Sequence, residues 1–392
     1  LKGASLPAEA MNKFFGTGEF QCRGETRKVH LCLNLDENVI EVWHPMSEKP
    51  LIAGREILKE KVALSNVHFH LPTGKIVRDH LADSVITSYG PGTWSIYDST
   101  LARAMGFLGE EVGMTKIVIK PRHTEIEFNF EPFTPTAPQY ELFYQVTKFY
   151  LGGPHHLLLN PGEAVVKGDE EGIAVIGHES LLKHEERIRL CLGILRGGPV
   201  TLRSTLDAHK FTIHMFSQEG SGMGPLVIDH TDIGSFLQGL FDFFSKLSPT
   251  EWARWRIATY FYLQGLGAPA LEVEALSLFT FLEILDNTNT LSKQAVATLL
   301  NIKQDEAQLL CLVRHGLIHR GERLGAALVN AHKQLVVEKQ QTPVDNSIFP
   351  VTASEETRDV AFFLQFCKLM NQLWATKANF TGRWNDYSEY TQ

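Results

Sequence analysis

Gly220-Ser221-Gly222-Met223-Gly224-Pro225 separates two halves of this chain that carry different hydrophobic periods. Upstream, apolar residues recur at every second position; downstream, they recur three and four apart. Alternate residues line one face of a strand, whereas residues three and four apart line one face of a helix, so the two halves cannot share one regular architecture. The glycines give backbone freedom and little to bury, which is the composition of a linker. The expected fold is therefore α+β and multidomain: a β-rich, sandwich- or barrel-like domain over 1–220, then an all-helical bundle over 221–392. A length of 392 residues agrees, being generous for a single core.

Within the first half, Lys28 to Leu35 alternates, turns at Asp36-Glu37-Asn38 and returns as Val39 to Trp43, a hairpin signal. Thr124 to Phe130 alternates apolar and polar residues, and Lys116 to Ile119 is the expected partner across Pro121-Arg122-His123. Val200–Leu206 and Lys210–Phe216 read as a last hairpin, after a helical interlude over Glu179–Leu195. In the second half, Ser248-Pro249-Thr250-Glu251 combines an N-cap serine, a proline at the first helical position and a glutamate three after the cap. Further helices are expected over Ile233–Leu247, Ala270–Asp286, Ser292–Leu300, Asp305–His319 and about Ser354–Trp374.

The chemistry concentrates in Leu312-Val313-Arg314-His315-Gly316-Leu317-Ile318-His319-Arg320-Gly321. Imidazoles that titrate near neutrality beside a fixed cation are what metal-free phosphodiester cleavage requires: a base for the ribose 2′-hydroxyl, a cation for the phosphate and an acid for the leaving oxygen. His319 suits proton transfer. Arg314 offers a fork of donors matched to phosphate oxygens. His315 could share the acid–base work or hold the phosphate, and Arg320 and Arg323 are candidate substrate contacts. His315 and His319, four apart, share a helical face. Arg314 and His319, five apart, point roughly 140° away from each other on an ideal helix. Either the helix is distorted near Gly316, or two copies of the motif meet and complete each other.

This stretch resembles the R-x(4–6)-H signature of HEPN domains, with Arg314, His315 and His319 on its three marked positions and Ala270–Asp286 as the long preceding helix. The arrangement is most similar to ApeA-like HEPN proteins of bacterial antiphage defence. The resemblance implies an endoribonuclease that leaves a 2′,3′-cyclic phosphate on cellular RNA, tRNA being the implied substrate, in abortive infection. It further implies a homodimer with the site in the dimer cleft and a phage-derived trigger acting at the N-terminal domain.

Charge narrows the alternatives. A net charge of −8, with 14 Lys+Arg against 18 Asp+Glu from Gly222 onward, argues against a broad electrostatic surface for nucleic acid. RNA would instead be held at one focused cluster. Five scattered cysteines, none in a C-x-x-C pair, fit neither a disulfide framework nor a structural zinc site, and they suit a reducing, cytoplasmic location. His315-x-x-x-His319 has the spacing of two metal ligands, yet no Glu-x-x-His core completes a zinc site, so no metal and no cofactor are expected. His68 with His70, His155-His156 and the pair His178 and His184 suit core or surface roles better. No apolar run is long enough for a membrane span, no secretory leader is expected, and Met11 is the expected natural start. Two other functions compete: a catalytically silent HEPN scaffold or nucleotide-binding module, and a helix-turn-helix regulator built from Ser292–Ile302 and Lys303–Leu310. In the second, Asp305 and Glu306 would open the recognition helix, an unfavourable approach to phosphates.

Overall fold

A computed structural model describes residues 13–22, 25–34, 39–45, 62–69, 73–76, 85–87, 92–94, 112–119, 123–129, 140–146, 151, 153–168, 172–207, 210–216, 227–228, 232–266, 268, 270–287, 291–339, 347–349, 351 and 354–385. The glycine-rich linker, the Asp36-Glu37-Asn38 turn and His70 lie outside the described residues.

The chain begins with strands: β1 (Lys13–Cys22), β2 (Glu25–Asn34), β3 (Val39–Pro45), β4 (Val62–Phe69), β5 (Thr73–Ile76), β6 (Val85–Thr87), β7 (Gly92–Trp94), β8 (Val112–Ile119), β9 (His123–Asn129) and β10 (Tyr140–Gln145). There follow β11 (His155–Leu158), β12 (Glu163–Gly168), β13 (Gly172–Gly177), helices α1 (Ser180–Lys183) and α2 (Glu185–Arg196), then β14 (Thr201–Asp207) and β15 (Lys210–Phe216). The rest is helical: α3 (Ile233–Lys246), α4 (Pro249–Gly265), α5 (Leu271–Asp286), α6 (Lys293–Leu300), α7 (Gln304–Arg320), α8 (Leu324–Lys339) and α9 (Glu355–Lys377). A β-sheet region followed by a helical region is the α+β organisation that the change of period implies. Helix α8 was not among the expected elements, although Leu324, Ala327, Leu328, Ala331 and Leu335 form its buried stripe. Among the described residues no helix is long and apolar enough to cross a membrane.

The described chain packs as two units, Leu1–Phe143 with Leu202–Glu219, and Tyr144–Thr201 with Gly220–Gln392. The division expected at 220 therefore gains an interruption: residues 144–201 group with the helices. The reason lies in α2, whose apolar side is buried at Ile188, Cys191, Leu192 and Leu195. Gly193 of α2 lies so near Leu263 of α4 that a Cβ there would sit 2.6 Å from the leucine Cδ1.

In the first unit, one sheet has the order β4-β1-β2-β3-β8-β6, with β7 also on β8. The expected hairpin is present, antiparallel with Asn34 opposite Val39 and His30 opposite Trp43. Val29, Leu31 and Leu33 are buried together with Val39, Ile40 and Val42. The second set of pairings joins β5 to β9, β9 to β15 and β15 to β14. The pairing expected between Lys116–Ile119 and Thr124–Phe130 does not occur: Ile119 lies opposite Ile40, and Ile126 lies opposite Ile213. Both segments alternate as strands should, but alternation alone does not select a partner.

In the second unit β11, β12 and β13 form an antiparallel meander. Helix α4 starts where its cap dictates. The Ser248 hydroxyl accepts from the Glu251 N–H at 3.3 Å, and the Glu251 carboxylate accepts from the Ser248 N–H at 3.0 Å. The Ser248 hydroxyl, which donates to the same carboxylate at 2.6 Å, and then the Ser248 N–H hold the Glu251 carboxyl below its usual range. Ser248→Ala is expected to lower stability by about 1 kcal/mol, measured as an earlier denaturant midpoint; an unshifted midpoint would show the cap to be redundant. The core of the unit is aromatic. Trp374 of α9 is fully buried with its ring 5.5 to 6.3 Å from those of Phe244, Trp255, Tyr262 and Phe281, contributed by α3, α4 and α5.

Candidate functional site

All five residues singled out in the sequence lie at the end of α7 or just beyond it. Helix α7 buries Ala307, Leu309, Leu310, Val313 and Leu317, which leaves the positions between them to point elsewhere. The helix runs from Gln304 to Arg320 with no break at Gly316. Gly321, at φ +63°, then stops it in the left-handed conformation that glycine adopts at least cost. Its successor Glu322 returns an N–H to the Gly316 carbonyl at 3.2 Å, so the chain folds back over the last turn.

Because the helix is regular, the angular separation argued from spacing persists. His315 and His319 are both exposed on one face, their ring centroids 4.6 Å apart and their planes inclined by 41°. The Arg314 guanidinium instead pairs, through Nη2, with the Glu283 carboxylate of α5. Both side chains of that pair are largely covered, 19% and 23% exposed, and the Arg314 Nε is buried without a hydrogen-bond partner among the described residues. Arg314 is thus anchored between two helices while the histidines face outward. Within a single chain, no distortion of α7 turns the arginine toward them.

Glu283 was absent from the sequence reading. It sits one residue beyond the Leu282 core position, and nothing in the spacing of α5 says which partner it meets. Glu283→Gln is expected to lower the stability of the helical unit by roughly 1–3 kcal/mol, since a charged partner at this depth loses its counter-charge. A double-mutant cycle with Arg314→Met, read by thermal unfolding, tests it; additive losses would mean the two side chains act independently.

Arg320 is engaged as well. Its Nε lies 2.9 Å from Glu322 Oε1 and its Nη2 donates to Oε2 at 3.2 Å. Asn330 of α8 donates to the same carboxylate at 2.9 Å. Gly316 makes room for this pair: a Cβ there would come within 2.6 Å of Glu322 Oε2 and 3.0 Å of Arg320 Nη2. Arg323, exposed, precedes α8. Cys311, one turn before His315, donates its S–H toward the Leu291 carbonyl at 3.6 Å, and burial pushes its thiol up to about 11, so it stays protonated at neutral pH.

Three of the other histidine candidates have partners in the structure, while the side chain of His68 and the whole of His70 lie outside what it describes. The His155 ring nitrogen Nε2 meets the Leu151 carbonyl at 2.8 Å, His156 pairs with Glu163, and His184 stands edge-on to Phe241 with burial lowering its pKa. Among the described residues no three histidine, cysteine or carboxylate side chains gather as metal ligands. A second polar cluster joins α2 to α4: Arg189 pairs with Glu185 at 3.0 Å and donates to the Tyr260 hydroxyl at 2.6 Å, which donates to Glu186 at 3.0 Å. These contacts tie the two helices together, and burial raises the Tyr260 hydroxyl to about 12. In the helix-turn-helix reading, Glu306 would face DNA. It is buried instead, accepting from the Ser347 hydroxyl at 2.9 Å and the Ile348 N–H at 3.1 Å.

No protein-family model matches the chain, and no curated protein and no solved structure shows significant similarity to it.

Proposed function

We propose that the protein is a metal-independent endoribonuclease of HEPN type, in which the helical unit carries the catalytic histidines. The observation that supports this reading most is the exposed pair His315 and His319 on an unbroken helix, flanked by an arginine that α5 holds in place. Two imidazoles four residues apart supply what 2′-hydroxyl attack needs, one removing a proton and the other delivering one to the 5′-oxygen. Arg314 supplies the fixed positive charge for the phosphate. Since Arg314 points away from its own His319, the site is completed by the motif of a second copy, and the active form is a homodimer pairing the α7 ends. Ile318, 45% exposed between the two histidines, is the apolar contact that such a pairing covers. Arg323, exposed just beyond the helix, holds the RNA backbone, with Arg320 joining it once released from Glu322.

The substrate is cellular RNA, tRNA first, and the biological setting is abortive antiphage defence in the cytoplasm, with the β unit receiving a phage-derived trigger. Incubating the protein with total tRNA and mapping the ends tests the chemistry. A 2′,3′-cyclic phosphate and a 5′-hydroxyl are expected; 3′-hydroxyl ends would require a different mechanism.

One observation favours a second reading. Glu283 and Glu322 neutralise the two arginines nearest the histidines, as in a dimeric HEPN scaffold or nucleotide-binding module that does not cut. That reading expects dimerisation with tRNA left intact.

A further inference from the structure

The His315–His319 pair has a property that RNA cleavage does not use. Both rings are exposed, and among the described residues no hydrogen bond, ion pair or carboxylate engages either one; their contact is with each other. Two imidazoles on successive turns of a rigid helix form a bidentate chelate for a borderline transition-metal ion, because the backbone has already set their separation. Two histidines sharing one zinc ion, each bond about 2.0–2.1 Å long, hold their ring centres roughly 5 Å apart. The 4.6 Å separation seen here requires only a small side-chain adjustment.

We propose that His315 and His319 chelate one exchangeable transition-metal ion per chain, zinc being the test case, and that the bound ion switches the site off. The absence of a third protein ligand among the described residues defines the kind of site. A structural zinc site is closed by four protein ligands, whereas here water fills the remaining positions and the ion exchanges. Neighbouring cations set the limit on affinity. Arg314 and Arg320 would repel a divalent ion if free, but Glu283 and Glu322 offset their charge in place. Metal bound to both imidazoles occupies the lone pairs that proton transfer needs. The chelate itself stands on the geometry of α7, while its inhibitory consequence rests on the ribonuclease reading.

Two measurements on the full-length protein keep these separable. Calorimetric titration with zinc chloride alone, in the absence of RNA, is expected to show one ion per chain. His315→Ala and His319→Ala should each weaken binding at least tenfold, whereas Cys311→Ser should leave it unchanged. Binding equal in wild type and both histidine variants overturns the chelate, whatever RNA does. tRNA cleavage is then followed with and without zinc. Cleavage that is full in chelator and suppressed by zinc supports the switch, and cleavage unaffected by saturating zinc refutes it. Zinc binding with no tRNA cleavage under any condition would uphold the chelate and reject the enzyme.

Discussion

His319→Ala is expected to reduce tRNA cleavage by about 10²- to 10⁴-fold, the contribution of a general acid or base placed in the transition state. Stability should scarcely move. His319 is exposed, its contact is the neighbouring His315 ring, and a surface change of this kind costs no more than about 0.5 kcal/mol. That separation makes the variant more informative than Arg314→Ala, which also leaves the Glu283 carboxylate unpaired beneath the surface. Loss of cleavage there would mix folding with chemistry. In a shared site, mixing His319→Ala with Arg314→Ala protein restores part of the activity, because some heterodimers carry one intact composite site. Cleavage at the wild-type rate in both His315→Ala and His319→Ala would remove the catalytic role from this helix altogether.

Trp374→Ala is expected to cost about 3–5 kcal/mol and to melt the helical unit in or near physiological conditions, given total stabilities of about 5–15 kcal/mol. The indole is where α3, α4, α5 and α9 meet, ringed by Phe244, Trp255, Tyr262 and Phe281. No single neighbour can collapse into the void, since all four are rigid rings held by their own helices. Trp374→Phe should be far milder, about 1–2 kcal/mol. It keeps the aromatic surface, and it removes an Nε1–H that is buried without a hydrogen-bond partner among the described residues, so part of the cost of the lost volume is offset. Guanidinium unfolding followed by far-ultraviolet circular dichroism decides it. Equal midpoints for the alanine and phenylalanine variants would mean that the ring cluster is not the centre of this core.

Parts of this architecture were legible from residue order because they depend on neighbours in the chain. The α4 start is one: Ser248, Pro249 and Glu251 satisfy their own backbone donors, and no distant residue is consulted. The β2–β3 pairing is another: two alternating strands close together in sequence, antiparallel with Asn34 opposite Val39. The angle between Arg314 and His319 also followed from spacing, since a regular helix leaves no choice. The partner of β9 was not legible, because β8 and β15 carry the same alternation and period two carries no address.

The motif shows the same division within a few residues. Its membership, its helix, its Gly321 stop and the shared face of His315 and His319 were written locally, in spacings of three, four and five. That Arg314 is held by Glu283, that Arg320 is held by Glu322, and that residues 144–201 pack with the helices were settled only in three dimensions. Helical and turn preferences act over a few bonds, whereas an ion pair between α5 and α7 depends on how two separate apolar stripes choose to pack. Charges at the edge of those stripes meet whatever the packing brings to them.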